Sequence, residues 1–179
     1  MRNSVRFLII FLFVLAGCGF TSGPEKYVAS VEQIQTELAG RIYDITRYSE
    51  ELDSTLLWKA YHETLDYAEN AVYKLQELGP FRGDSILLKA ALRLMSIYQQ
   101  VLNQEVQSMA KIVSRPGELS DADELRLQRL RRAMFVKLAE AERNFLKDEN
   151  AFRRKYSLSA LNEEDEGTWF GQESDTTGS

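Results

Sequence analysis

Apolar residues recur along the chain at three- and four-residue intervals, the period of a helix buried on one face. Val31, Ile34, Leu38, Ile42, Ile45 and Leu52 form the first stripe, with Tyr48 filling its gap. Pro24 suits the first helical position and Glu25 the first turn, so a helix is predicted from about Pro24 to Glu51. The second stripe is Leu57, Tyr61, Leu65, Ala68, Val72, Leu75 and Leu78. Asp53-Ser54 offers its cap and Gly79-Pro80 its stop. One uninterrupted helix from Pro24 to Leu78 would be about 80 Å long, more than a small domain can bury, so a break is placed between Leu52 and Thr55. The third stripe is Leu87, Ala91, Leu94, Tyr98, Val101, Met109 and Ile112. It lies between the loop Phe81-Arg82-Gly83-Asp84, in which Asp84 is the candidate N-cap, and the stop Arg115-Pro116-Gly117. The fourth is Leu127, Leu130, Met134, Leu138, Ala141, Phe145 and Phe152. Ser120 and Asp123 match a capping box at its start, and Arg153-Arg154-Lys155 suits its C-terminal dipole.

Four amphipathic helices with short connections imply antiparallel neighbours. The expected fold is all-α: an up-down-up-down four-helix bundle over residues 24–156, with solenoid-like stacking of helix pairs as the alternative. With 10 Gly and 3 Pro the chain has too few turn residues for a many-stranded fold. The helical pattern fails from Leu158 onward. Residues 157–179 are expected to form a disordered acidic tail, interrupted by Trp169-Phe170. That aromatic pair suits either docking on the bundle or recognition of a partner.

The amino terminus carries a different signal. Arg2 and Arg6 precede ten unbroken apolar residues, Phe7 to Ala16, about half of what a bilayer-spanning helix needs. A basic start, a short apolar core and small residues describe a secretory leader. Leu15-Ala16-Gly17-Cys18 then resembles the lipobox of bacterial lipoprotein precursors. The resemblance covers only these first eighteen residues and carries no information about the fold downstream. It implies a diacylglycerol on the Cys18 thiol and cleavage just before it. Residues 1–17 would be the signal peptide and 18–23 a lipidated tether. No cofactor is expected beyond this covalent lipid. Gly19, rather than Asp, after the Cys implies the outer membrane over the inner one, so the expected location is the cell envelope.

Composition and charge narrow the function. Apolar residues are 44% and charged ones 27%, as in ordinary globular domains. The formal net charge is -5 and becomes -7 once Arg2 and Arg6 leave with the leader. Residues 157–179 hold six acids and no base, leaving the helical body near neutral, which argues against nucleic-acid binding. One His and one Cys exclude a disulfide framework. The residue three before His62 is Lys59, so the Glu-x-x-His pairs of a di-iron bundle are missing. No nucleophile elbow or phosphate-binding loop occurs, and carboxylate pairs such as Glu50-Glu51 and Glu140/Glu142 diverge on a helix. An enzyme is not expected.

Three surface features remain. Arg82-Gly83-Asp84 spells the tripeptide read by integrins, although a turn followed by a cap accounts for it. Arg126, Arg129, Arg131 and Arg132 cluster early in the fourth helix, where a solvated face or acids of the bundle or tail would satisfy them. Tyr43, Tyr67 and Tyr73 lie off the apolar stripes. They are either boundary tyrosines or, with Trp169 and Phe170, a partner surface. The expected function is a non-catalytic, membrane-anchored envelope lipoprotein whose bundle binds or scaffolds a protein partner. The alternatives are a small ligand held between helices and host attachment by a surface-exposed form.

Overall fold

The computed structural model describes residues 23–161, and every regular element in that range is helical. Helix α1 is Pro24–Glu50 and α2 is Ser54–Leu78. The third helix, α3, is built of three stretches: Ile86–Val101, a π-helical segment Leu102–Val106, and Gln107–Val113. Helix α4 is Asp121–Lys155.

The helix boundaries follow from local chemistry. Pro24 opens α1 with its fixed φ and its missing N–H, where no intrahelical acceptor is needed. Asp53 caps α2 by accepting from the Leu56 N–H at 2.9 Å. Ser120 caps α4 by accepting from the Asp123 N–H at 3.2 Å. The start of α3 differs from the sequence expectation. Ser85 occupies the capping position without a side-chain bond, while the Asp84 carboxylate accepts from the Ile86 N–H at 2.9 Å.

Leu52 is a second difference. Its spacing puts it on the buried stripe of α1, yet it is 47% exposed. α1 ends before it, and Leu52 takes a left-handed conformation with φ of 56°. The Asp53 N–H bonds back to the Tyr48 carbonyl at 3.1 Å, the six-to-one closure of a Schellman turn. The break expected between Leu52 and Thr55 is therefore this turn, and the turn swings Leu52 out of helical register.

Side-chain bonds show how the helices meet. The Tyr27 hydroxyl, at the start of α1, donates to the Gly79 carbonyl beyond the end of α2 at 2.7 Å. Trp58 Nε1, early in α2, donates to Ser114 Oγ beyond the end of α3 at 2.8 Å. Arg93 of α3 meets Asp148 of α4 at 2.6 Å. Arg131 of α4 donates from Nε to Ser49 Oγ at 3.1 Å and from Nη2 to the Ser49 carbonyl at 3.0 Å, near the end of α1. The last contact supplies donors to a carbonyl that the ending helix leaves without an intrahelical partner.

The stripes converge on one core. Leu38, Ile42, Ile45, Leu57, Leu75 and Leu138 are fully buried. At about 2 kcal/mol per large side chain removed from water, such a core supplies the main term holding the helices together. The eight-residue gap between Val101 and Met109 in the α3 stripe is where the π segment lies. Its wider turn carries Leu102, Glu105 and Val106 inward together. One end of the bundle is sealed by rings: Tyr27, Phe81, Phe152 and Tyr156 pack with centroid separations of 4.6–5.8 Å.

Candidate functional site

Leu15, Ala16, Gly17 and Cys18 lie outside the described residues, as do Trp169 and Phe170. The three tyrosines can be placed. Tyr43 and Tyr73 are each 67% exposed, one on α1 and one on α2. Tyr67 is half-buried and engaged. The Arg41 guanidinium lies 4.6 Å from its ring centroid, and Lys74 Nζ lies 5.6 Å away. Burial, then the charge of Glu37 and a hydrogen bond to it, push the Tyr67 hydroxyl up to about 12, against the opposing pull of Arg41. Among the described residues no ring contact joins Tyr43, Tyr67 and Tyr73. They are separate positions on the α1–α2 side, and Tyr67 belongs to the packing between the two helices.

Arg41 also lines a groove between α1 and α2. The groove holds about 100 Å³ and is walled by Arg41, Asp44, Tyr48, Leu56, Lys59, Ala60, Glu63 and Thr64. Two cations, Arg41 and Lys59, and two acids, Asp44 and Glu63, face this small space, so its walls suit a polar group rather than an apolar one. Arg41 Nε is buried there without a hydrogen-bond partner, while Nη2 pairs with Glu37 at 3.0 Å. Ligand pockets for small molecules are typically about 300–1,000 Å³, well above this volume. The groove is not legible in the sequence, because its walls are ordinary surface charges until two helices bring them together.

Next to the groove, Trp58 and Tyr61 meet edge to face at 5.5 Å, and His62 stacks on Trp58 at 5.7 Å. His62 is exposed and has ring neighbours, with no acid or hydroxyl bonded to it among the described residues. The Tyr61 hydroxyl sits 3.4 Å from both Asn103 and Gln107, at the two edges of the π segment.

Arg82-Gly83-Asp84 forms a tight turn. Arg82 and Gly83 have φ of 50° and 84°, and the Asp84 N–H donates to the Phe81 carbonyl at 2.8 Å, the pattern of a mirror-image hairpin turn. The Asp84 carboxylate is only 5% exposed and receives Lys155 Nζ at 2.7 Å. Burial favours its neutral form, but hydrogen bonds from Lys155, the Ile86 N–H and Tyr156, with the Lys155 charge, hold it below the usual carboxylate range. That carboxylate is therefore engaged within the fold by Lys155, Tyr156 and the Ile86 N–H.

Two buried polar clusters were not legible in the sequence. Arg153 of α4 donates to Glu149 Oε1 at 2.6 Å and also pairs with Glu32 of α1. One guanidinium thus serves two carboxylates. Burial of Glu149, then hydrogen bonding with Glu32 and its charge, outweigh Arg153 and raise Glu149 to about 7. In the second cluster, the buried Tyr98 hydroxyl lies 2.5 Å from Glu142 Oε1. Burial and that carboxylate hold Tyr98 well above its ordinary value. The π segment adds Glu105, whose Oε1 meets Lys137 Nζ at 2.6 Å.

Among the described residues no helix is long and apolar enough to cross a membrane, and no group of His, Cys, Asp and Glu is arranged to hold a metal ion. No family model matches the chain, and no curated protein or solved structure matches it either.

Proposed function

We propose that this chain is a non-catalytic bacterial envelope lipoprotein, anchored through lipid on Cys18, whose helical body binds or scaffolds a protein partner. The observation that carries the reading is Leu15-Ala16-Gly17-Cys18 placed at the end of the ten-residue apolar run Phe7 to Ala16. Two or more acyl chains hold a protein on a membrane stably, whereas one binds only marginally. The body is an antiparallel up-down-up-down bundle in this proposal, supported by the start-to-end pairings Tyr27–Gly79 and Trp58–Ser114. The proposed partner surface is the α1–α2 side, where Tyr43 of α1 and Tyr73 of α2 are exposed and a charged groove lies between the two helices. The outer membrane is the proposed location, on the ground that Gly19 replaces the Asp associated with inner-membrane retention.

The test is expression of the full precursor beside Cys18→Ala in a Gram-negative host that processes a control lipoprotein. A membrane-bound product with the mass of a chain starting at acylated Cys18, lost in the variant, supports the anchor. A soluble, unmodified product refutes it. Photo-crosslinking from Tyr43 and Tyr73 in the envelope then tests the partner surface, and capture of no protein from either position refutes that part.

A further inference from the structure

The outer face of α4 carries an exposed basic stripe. Leu125, Arg132, Val136 and Arg143 follow one another at seven, four and seven residues, spacings that keep them on one side of a helix, and the buried Asn150 lies seven residues further along the same side. Arg129 and Lys147 flank the stripe, and Glu140 is the acid on its border. Leu125 is 48% exposed and Val136 58%. Arg129, Arg132, Arg143 and Lys147 are all exposed, and none forms an ion pair among the described residues. Apolar side chains set between unpaired cations make a face suited to an acidic, aromatic segment.

The chain itself heads for this face. After α4, Ser157 takes a left-handed conformation with φ of 58°, and the Leu158 N–H closes on the Arg153 carbonyl at 2.9 Å. The backbone then returns along α4. Arg153 Nη1 donates to the Ser159 carbonyl at 3.2 Å, and the Leu161 N–H donates to Asn150 Oδ1 at 2.9 Å. Asn150 Nδ2 lies 3.5 Å from the Leu161 carbonyl. From Ser159 to Leu161 the chain has therefore moved from Arg153 back to Asn150, one end of the basic stripe.

We propose that residues 162–179 continue on this course and dock on the outer face of α4. Glu163, Glu164, Asp165 and Glu166 would face Lys147 and Arg143, and Trp169-Phe170 would reach Val136 and Arg132. The lengths agree. At about 3.3 Å per extended residue the acidic run lies about 7–17 Å beyond Leu161, while Lys147 and Arg143 are about 5 and 11 Å from Asn150 along the helix. Trp169 and Phe170 can reach about 26–30 Å, against about 21 and 27 Å for Val136 and Arg132. The charges agree as well, since the segment holds six acids and no base. The occupant is this chain's own carboxy-terminal segment, and the proposal stands whether or not Cys18 carries lipid.

Carbodiimide crosslinking of the full chain, mixed in unlabelled and uniformly ¹⁵N-labelled forms, reads the contact. Lys147 should join the 163–166 run within single chains, beside the Lys155–Asp84 and Lys137–Glu105 pairs that report the folded bundle. Mixed-label Lys147 products would place the segment on a second copy and overturn the proposal. So would absence of a Lys147 product while the two reporter pairs crosslink. Combining Arg132→Glu with Arg143→Glu on this exposed face should lower the Lys147 yield by about tenfold, and an unchanged yield would count against docking. In a Trp58→Phe background, acrylamide quenching reads Trp169 alone. Trp169 should be shielded in the parent and freely quenched in the double arginine variant, and free quenching in both refutes the aromatic contact.

Discussion

The two ends of the bundle are closed by different means. At one end four rings from α1, the α2–α3 turn, α4 and its C-cap Tyr156 pack together, and Tyr27, Phe81 and Phe152 are buried. At the other end the closing contacts are polar: Arg131 on Ser49 and Trp58 on Ser114, with Leu52 and Leu56 left exposed. The ring cluster draws its energy from area removed from water and from many small contacts. The polar end depends on a few directional bonds, each worth about 0.5–3 kcal/mol net. One end should therefore resist local opening, and the other should open first.

The largest effect should come from the sealed end. Phe152→Ala removes a ring that touches Tyr27, Phe81 and Tyr156, and should cost about 3–5 kcal/mol in urea unfolding. A loss below about 1 kcal/mol would show that the cluster is not the stronger closure. Next comes the pH dependence of Glu149. Its folded value of about 7 lies above the ordinary 4.5, so the folded chain holds a proton that the unfolded chain has released between those values. Stability should be present in full below that window and fall as pH rises through it, by about 3 kcal/mol. Glu149→Gln should flatten this slope, and a variant with the parent's slope would assign the titration elsewhere.

The polar end should give smaller changes. Arg131→Ala should cost about 1–3 kcal/mol, because the Ser49 carbonyl and hydroxyl lose a charged donor. Amide exchange should rise near the α1–α2 turn while the ring cluster stays protected, and uniform exchange would erase the contrast between the ends. Leu52→Gly relieves a left-handed conformation in an exposed side chain and should stabilise by about 0.5–1 kcal/mol in the same unfolding assay. The smallest effect belongs to Tyr43→Ala with Tyr73→Ala, expected within about 0.5 kcal/mol of the parent. A large loss there would make these tyrosines structural and remove them as a partner surface.

Much of the fold was legible in the sequence because its signals are local. Gly79-Pro80, Asp53, Ser120 and Pro24 act on their own backbone within a few residues, so helix limits could be read to within a residue or two. The apolar stripes likewise marked Ile42, Leu75, Leu87 and Leu138 as buried. Leu52 failed that reading because spacing alone does not reveal where a helix gives way to a left-handed turn. The Arg41 groove, the Arg153 pairing with Glu32, and the docking of Arg131 on Ser49 were hidden for another reason. Each joins residues from separate helices, and nothing in one helix's periodicity encodes its neighbour's height or rotation.

Helix number, helix limits and the buried faces are thus properties of the sequence itself, since each depends on side chains a few positions apart. Which polar residues became partners was decided only by tertiary packing. Glu149, Glu105 and Asn150 are polar positions that the sequence does not mark as interior, yet they are buried in the assembled bundle. Their environment, and with it the raised value of Glu149, exists only once α1, α3 and α4 have excluded water around them.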